Sequence, residues 1–294
     1  MRWRGRRGSA NIVDKRGQRG GGGLIRRGGG AAGGLGIGGL LLVLAVGWFF
    51  GIDVTPLLNG GGGTVQSSGP AQTRELTEAE REEGQFVSVV LADTEEIWSS
   101  IFETQLGEPY QPPSLVLFSG VTQSPCGGAS GATGPFYCPA DRNAYLDTEF
   151  FTTMEQRLGA GGDFAAAYVI AHEVAHHVQN ELGILGQANR IRAQSSEAES
   201  NAISVRIELQ ADCYSGIWAR NAEERFGTLE RGDLEEALNA ARQIGDDELA
   251  RQAGRPVQPH TFTHGTSEQR ARWFETGYAE GDIRACDTFS AESL

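Results

Sequence analysis

The sequence is poor in histidine, cysteine and aromatic side chains, and each scarcity limits what the chain can be. It has 294 residues with five histidines, four cysteines and 8% aromatics. None of the cysteines has the C-x-x-C spacing of a structural zinc site, and no internal repeat indicates a solenoid. Glycine is concentrated at one end, with 21 of 42 in the first 63 residues. This distribution predicts one globular domain after a glycine-rich N-terminal region.

Basic residues are also unevenly distributed. Residues 1–27 contain nine basic residues and one acidic residue, although the net charge of the whole chain is −13. The rest of the chain is therefore strongly acidic, whereas phosphate binding needs a clustered basic face. We expect no nucleic-acid partner.

Charged residues are absent from residues 28–52, and residues 35–52 are apolar over a length that can span a bilayer as one helix. Arginines precede this segment and Asp53 follows it, so the positive-inside rule predicts a single-pass anchor with a cytoplasmic N-terminus. The acidic body would then be extracytoplasmic. A cleaved secretory signal and a buried helix of a soluble protein are the alternatives.

Composition divides the chain into four parts. They are a basic cytoplasmic tail (1–27), a transmembrane helix that contacts the lipid bilayer (28–52), a flexible linker (53–72) and the folded domain (73–294). Apolar periodicity predicts a mainly helical α+β domain with a small sheet. The predicted helices cover 75–105, 164–182, 197–220, 233–252 and 267–278, and the predicted strands cover 114–118 and 144–151.

The four cysteines are an even number in a domain predicted to be exported, which favours two disulfides. Cys126 and Cys138 flank a glycine-rich loop that a local bridge could close, leaving Cys213 and Cys286 for the second. The sequence alone permits three pairings, and free buried thiols are the alternative.

His172, Glu173 and His176 form an H-E-x-x-H motif inside a predicted helix. Residues four apart lie on one helix face, so both imidazoles can reach one Zn²⁺ at ~2.0–2.1 Å. Glu173 is then placed to take a proton from a metal-activated water and return it to the leaving amine. The pattern could arise by chance in a surface helix. Its apolar neighbours argue against that, because buried ionisable groups need a partner such as a metal.

Glu208 and Asp212 are four apart in the next predicted helix, again among apolar residues. We predict that Glu208 is the third zinc ligand and that Asp212 accepts the free N–H of a ligating imidazole, which fixes its tautomer. A solvated pair of helical carboxylates is the alternative.

Three segments, HEVAHHVQNELG, ELQADCYSGIWA and HGTSEQRARWF, together resemble the neutral zinc metallopeptidases of bacterial membranes. These are zincins in which H-E-x-x-H is followed on a later helix by E-x-x-x-D. The resemblance covers residues 74–289 and leaves the N-terminal arginine and glycine tract outside. It implies a zincin-like fold, one Zn²⁺, and a small sheet whose edge strand receives an extended peptide or protein substrate above the active-site helix.

The resemblance also implies a role for a later histidine, which stabilises the oxyanion in similar enzymes. His264 heads the family-like motif and is the candidate, with His260 as the alternative and an ordinary surface histidine as the simpler interpretation for either. We interpret His177 as structural. Arg270 either holds the substrate carbonyl or pairs with an acidic neighbour.

The predicted function is zinc-dependent peptide-bond hydrolysis, most simply by an endopeptidase, with Glu173 as general base on an exported, membrane-anchored domain. One alternative is a catalytically silent zinc-containing binding or regulatory module of the cell envelope. It is disfavoured because Glu173 has no use beside a closed structural site. A second alternative is a zinc hydrolase that acts on an amide of the cell wall.

Overall fold

The computed structural model describes residues 1–17, 74–130 and 134–294. The predicted transmembrane helix (28–52) and linker (53–72) lie outside these residues. Within the described part of the chain, no helix combines the length and apolar character that crossing a membrane requires.

The described residues form a mainly helical α+β fold, as predicted. Its strands are β1 (Ile12–Asp14), β2 (Ser114–Phe118), β3 (Val121–Ser124), β4 (Gly127–Ser130), β5 (Phe136–Cys138) and β6 (Asn143–Asp147). Its α-helices are α1 (Glu78–Ile101), α2 (Glu149–Leu158), α3 (Asp163–Glu181), α4 (Ile184–Arg192), α5 (Glu197–Phe226), α6 (Asp233–Gln243), α7 (Asp246–Gln252) and α8 (Ser267–Glu280). A π-helical turn (Phe102–Leu106) extends α1, and 3₁₀ turns cover Pro259–Thr261 and Ile283–Cys286.

Local capping explains why the helices that carry the site begin where they do. Ser196 precedes α5 and accepts a hydrogen bond from the Glu199 backbone N–H, while the Glu199 side chain accepts one from the Ser196 N–H. Thr266 and Gln269 form the same reciprocal capping box at the start of α8. Each box satisfies two backbone donors that the first helical turn leaves unpaired.

Two predicted elements have different boundaries in the structure. The predicted strand 144–151 ends at Asp147, and Glu149 already begins α2. The predicted single helix 233–252 is interrupted at Gly245, where the backbone is extended and the Ser267 backbone lies so close that a Cβ would collide with it. This break makes Asp246 the first residue of α7.

The main sheet has the strand order β1-β2-β6-β5, in which β5 alone is antiparallel to its neighbour, and β3 and β4 form a separate hairpin. Side chains alternate along β2, so that Leu115 and Leu117 join the main core while Val116 and Phe118 pack in a second cluster. Helix α3 lies in the main core and is buried on nearly every side. The antiparallel strand β5 is left at one edge of the sheet.

Helices α5 and α8 lie close together at two glycines, one on each helix. A Cβ on Gly277 would collide with the carbonyl of Cys213, and one on Gly216 with the carbonyl of Phe274. Cys213 is bridged to Cys286, just after α8, and Cys126 is bridged to Cys138. The structure thus confirms both predicted pairings, and this close packing brings the predicted Glu208–Asp212 pair next to the HGTSEQR segment.

Residues 1–17, here called the N-terminal arm, are packed on the domain. Met1 and Trp3 are buried in its core, the Trp3 ring meets Phe86 edge-on at 5.5 Å, and β1 pairs in parallel with β2. The predicted separation of a basic tail from the domain is therefore wrong for these residues. Arginine density suggested a solvated tail, whereas Arg6 is paired with Asp93 of the domain.

Candidate metal centre

His172, His176 and Glu208 converge on one point, as the motif spacing predicts. The Nε2 atoms of His172 and His176 lie 3.1 Å and 3.6 Å from the same oxygen of Glu208, Oε2. One ligand atom from each of the three lies within 4.8 Å of the others. Tetrahedral zinc with bonds of ~2.0–2.2 Å holds its ligand atoms about 3.3 Å apart. The three side chains could therefore hold a metal ion.

The remaining nitrogen of each imidazole has a buried acceptor. His172 Nδ1 lies 2.9 Å from Asp212 Oδ1, and His176 Nδ1 lies 2.9 Å from Gln179 Oε1. The Gln179 amide nitrogen is itself used, donating to the carbonyl of Ile207 at 2.7 Å. Each Nδ1 therefore carries a proton, and Nε2 is the nitrogen of each ring that faces the possible metal position. Gln179 was not predicted, although its place three residues after His176 on one helix face could have indicated it.

Asp212 is fixed in turn by two further side chains. Arg270 donates from Nε and Nη2 to the two carboxylate oxygens at 2.9 and 3.0 Å, and the Tyr168 hydroxyl donates at 2.5 Å. Asp212 and Arg270 are both almost completely buried. Of the two predicted roles for Arg270, the structure supports pairing with an acidic neighbour. Arg270 therefore fixes the residue that orients His172.

The charges around the three ligand residues favour a cation. Burial raises the pKa of Glu208, but His176, His264 and His172 outweigh it and hold the pKa well below its usual range. Burial lowers the pKa of His172, yet Asp212 and Glu208 raise the pKa to about 9. In the structure, positive charge at this point is thus stabilised by two carboxylates. The same attraction would act on a divalent cation.

Glu173 follows His172 on α3 and is half-buried. Burial raises the pKa of its carboxyl group, while the neighbouring imidazoles of His176 and His172 oppose that rise. A raised pKa makes a carboxylate a better proton acceptor. Its place beside the ligand set matches the predicted place of the general base.

Asp246, which was not predicted, holds the loop that presents His264. Its Oδ2 accepts hydrogen bonds from the backbone N–H groups of Thr263, His264 and Gly265 at 2.8, 2.6 and 3.0 Å. Its Oδ1 lies 3.4 Å from His264 Nδ1. Burial lowers the pKa of His264, but Glu208 and Asp246 outweigh it and raise the pKa. His264 thus lies within electrostatic reach of the ligand set.

The alternative candidate, His260, is exposed in a 3₁₀ turn, and its carbonyl accepts a hydrogen bond from Asn201. His264 acts electrostatically on Glu208 and Glu173, favouring the ionised form of both carboxyl groups. Position in the fold therefore favours His264 over His260.

His177 links the motif helix to the sheet. Its Nε2 donates to the Gln111 carbonyl at 2.6 Å, which leaves Nδ1 to accept from the Tyr137 hydroxyl at 3.0 Å. Burial lowers the pKa of this fully buried imidazole, which keeps it neutral. His177 is structural, as interpreted from the sequence, and it holds the edge strand β5 on α3.

A second acidic group within the described residues, made of Asp163, Asp233 and Glu236, could also hold a metal ion by distance alone. The amino group of Met1 lies 2.6 Å from Asp163 Oδ1 and 3.4 Å from Asp233 Oδ2. In the structure these carboxylates therefore already have a cationic partner.

The three side chains of His172, His176 and Glu208 form a candidate metal site, and comparison with known proteins gives the family. The chain belongs to the family described as "Putative neutral zinc metallopeptidase", which matches residues 1–289. The family match therefore includes the N-terminal arm, which corrects the expectation that the resemblance begins at residue 74.

Two relatives illustrate the similarity. The chain is 46% identical over 289 residues to "Uncharacterized protein YpfJ" of Escherichia coli K12, covering 98% of this chain and 99% of that protein. It is 46% identical over 195 residues to "Uncharacterized protein Rv2575" of Mycobacterium tuberculosis H37Rv, covering 63% of this chain and 65% of that protein. No solved structure matches the chain.

Proposed function

We propose that the protein hydrolyses peptide bonds with one zinc ion held by His172, His176 and Glu208. The observation that carries the proposal is the convergence of both Nε2 atoms on Glu208 Oε2, at 3.1 and 3.6 Å. Glu173 follows His172 on α3 and is within electrostatic reach of both imidazoles. Two imidazoles and one carboxylate are a donor set that catalytic zinc uses, and three protein ligands leave one position open.

The ligand set fits zinc in chemistry as well as in distance. The Nδ1 of each imidazole has its own acceptor, so that each Nε2 faces the metal position, and the pKa of Glu208 is well below its usual range, which keeps it ionised. Zinc bound there would supply Lewis-acid chemistry, polarising the scissile carbonyl and lowering the pKa of a water molecule.

In this mechanism the residues of the chain orient groups and transfer protons. Glu173 takes the proton of the attacking water and passes it to the leaving amine. His264, held by Asp246, donates a hydrogen bond to the oxyanion that forms from the carbonyl. Asp212 keeps His172 in the tautomer that leaves Nε2 free, and Arg270 keeps Asp212 in place.

The proposed substrate is an extended peptide segment that is cleaved internally, as by an endopeptidase. The supporting observation is the position of β5, which ends the strand order of the main sheet and is tied to α3 through Tyr137 and His177. A strand at a sheet edge has unpaired backbone groups that an extended peptide can meet.

The two disulfides support an extracytoplasmic location for this domain, since oxidising compartments are where such bonds persist. An anchor formed by residues 28–52 remains part of the proposal. The topology of that anchor is considered below.

The experiment that tests the ligand set compares wild type with Glu208→Ala in the full chain. Wild type should carry about one zinc per chain and cleave an unstructured protein such as casein, whereas Glu208→Ala should lose both because only two ligands remain. Bound metal is measured by mass spectrometry and cleavage by electrophoresis.

The matched control is Glu224→Ala, on the exposed face of the same helix, which should behave as wild type. A Glu208→Ala protein that keeps its zinc and its activity would remove Glu208 from the ligand set. Wild type that binds zinc but cleaves no peptide of a diverse library would instead favour the silent binding module.

Replacing Asp246 with asparagine should reduce kcat/KM about 10-fold without loss of zinc. The amide lacks the charge that faces His264 and is a weaker acceptor for the three backbone N–H groups of the loop. Peptide hydrolysis and zinc content are measured together. Glu248→Gln, two residues further along α7, serves as control and should leave both unchanged. A normal kcat/KM in Asp246→Asn would separate this loop from the reaction.

A further inference from the structure

The N-terminal arm is joined to the domain by backbone hydrogen bonds, which do not depend on the side chains present. Ser9 N–H donates to the Ser88 carbonyl of α1 at 2.9 Å. Leu115 N–H of β2 donates to the Asn11 carbonyl at 2.8 Å, and Lys15 N–H donates to the Leu117 carbonyl at 2.7 Å. The arm is therefore an integral strand of the sheet.

Buried groups of the domain also depend on the arm. Arg6 Nη1 lies 2.5 Å from Asp93 Oδ2, and only 5% of the Asp93 side chain is exposed. Met1 and Trp3 are 6% and 5% exposed within the main core. Without the arm, Asp93 would be a buried carboxylate without this cation, and the apolar surface under Trp3 would face water.

The arm and the domain also contact each other at the two residues that flank residues 18–73. The Arg74 backbone N–H donates to the carbonyl of Gly17 at 2.8 Å. The 56 residues between them therefore begin and end at one place on one folded unit. A segment that crosses a bilayer once has its ends on opposite sides of about 30 Å of hydrocarbon. One crossing and this hydrogen bond cannot both exist.

We propose that residues 1–17 and residues 74–294 lie in the same compartment, so that the chain between Gly17 and Arg74 begins and ends on one face of the membrane. The charge pattern predicted a single-pass topology in which the N-terminus is cytoplasmic. A shared compartment for residues 1–17 and 74–294 replaces that topology. It holds whether or not the zinc centre cleaves peptides.

Cysteine accessibility in cells tests this topology, because all four native cysteines are in disulfides. Single cysteines are introduced into the full chain at two exposed positions, Ala10→Cys in the arm and Ala193→Cys after α4. A membrane-impermeant maleimide is added to intact spheroplasts and, separately, to lysed ones. Zinc content of each purified variant verifies that it is folded.

Both cysteines should show the same accessibility. Labelling of both before lysis supports one extracytoplasmic unit. Labelling of both only after lysis still supports a shared compartment and removes the extracytoplasmic assignment made above. Labelling of Ala193→Cys before lysis but Ala10→Cys only after lysis would overturn the proposal and restore the single crossing.

A disulfide between the arm and α1 gives an independent measurement. A Cβ built on Gly8 lies 3.3 Å from the Cβ of Ser88, close to the ~3.5–4.5 Å that a disulfide needs. Membranes that contain the double variant Gly8→Cys/Ser88→Cys are oxidised, and the chain is then cut at a protease site inserted at residue 60. The N-terminal and C-terminal fragments should stay linked in denaturing electrophoresis until the disulfide is reduced. Either single-cysteine variant is the matched control. Fragments that separate without reduction would contradict the packing of the arm in the membrane.

Discussion

Replacing Glu173 with glutamine should lower kcat for peptide hydrolysis by about 10³-fold, because general acid–base catalysis contributes roughly 10²–10⁴-fold and the amide cannot accept the proton. Zinc should stay bound, since Glu173 is not one of the three residues that converge on the metal position. KM should change little, because glutamine keeps the size of the side chain. Steady-state cleavage of a fluorogenic peptide and zinc content of the same sample measure all three expectations.

The control for this prediction is Glu181→Gln, on the same helix, where the carboxylate pairs with Arg142 away from the ligand set. It should retain zinc and nearly full kcat. Loss of zinc in Glu173→Gln would mean that the residue supports the metal site and is not only a base. A kcat within a few-fold of wild type, with zinc bound, would assign the proton transfer to another group.

Local geometry explains why part of the candidate site could be predicted from the sequence. His172 and His176 share a face of α3 because four residues make about one helical turn, and Glu208 and Asp212 share a face of α5 for the same reason. Gln179 could have been indicated in the same way, because it lies three residues after His176 on α3. Asp246 could not, because its role depends on the break at Gly245 and on contacts with a loop 17 to 19 residues further along the chain.

The same distinction applies to the fold. The first residue of a helix was predicted closely where a capping side chain precedes it, as Ser196 precedes α5 and Thr266 precedes α8. Residues 149–151 were assigned to the predicted strand 144–151, whereas the structure places them in α2. The packing of the N-terminal arm on the domain could not be predicted from local sequence. The carboxylate that pairs with Arg6 is 87 residues further along the chain.

The Arg6–Asp93 pair gives the second large prediction. Arg6→Met should lower the free energy of unfolding by about 3 kcal/mol at pH 8, because removing one partner of a largely buried ion pair leaves the other charge without compensation. Methionine retains an apolar stem against Phe226, over which the Arg6 guanidinium lies at 4.4 Å. Urea unfolding followed by tryptophan fluorescence measures the change.

Arg2→Met is the control, since the Arg2 side chain is 69% exposed and its partner Glu230 is 3.6 Å away. Such an exposed pair contributes only about 0–1 kcal/mol. The double variant Arg6→Met/Asp93→Asn should recover part of the stability lost in Arg6→Met, because it removes the unpaired charge.

The dependence on pH distinguishes the loss of this charge pair from a simple loss of packing. Burial raises the pKa of Asp93 from 3.8 to about 6 even with Arg6 present. The folded state therefore binds this proton more tightly than the unfolded chain, and stability from Asp93 falls as pH rises from 3.8 through about 6. Without Arg6 that fall should be larger, so the two proteins should differ most above pH 6 and little below pH 3.8, where Asp93 is protonated in both states. A difference that stays constant with pH would assign the role of Arg6 to its contact with Phe226.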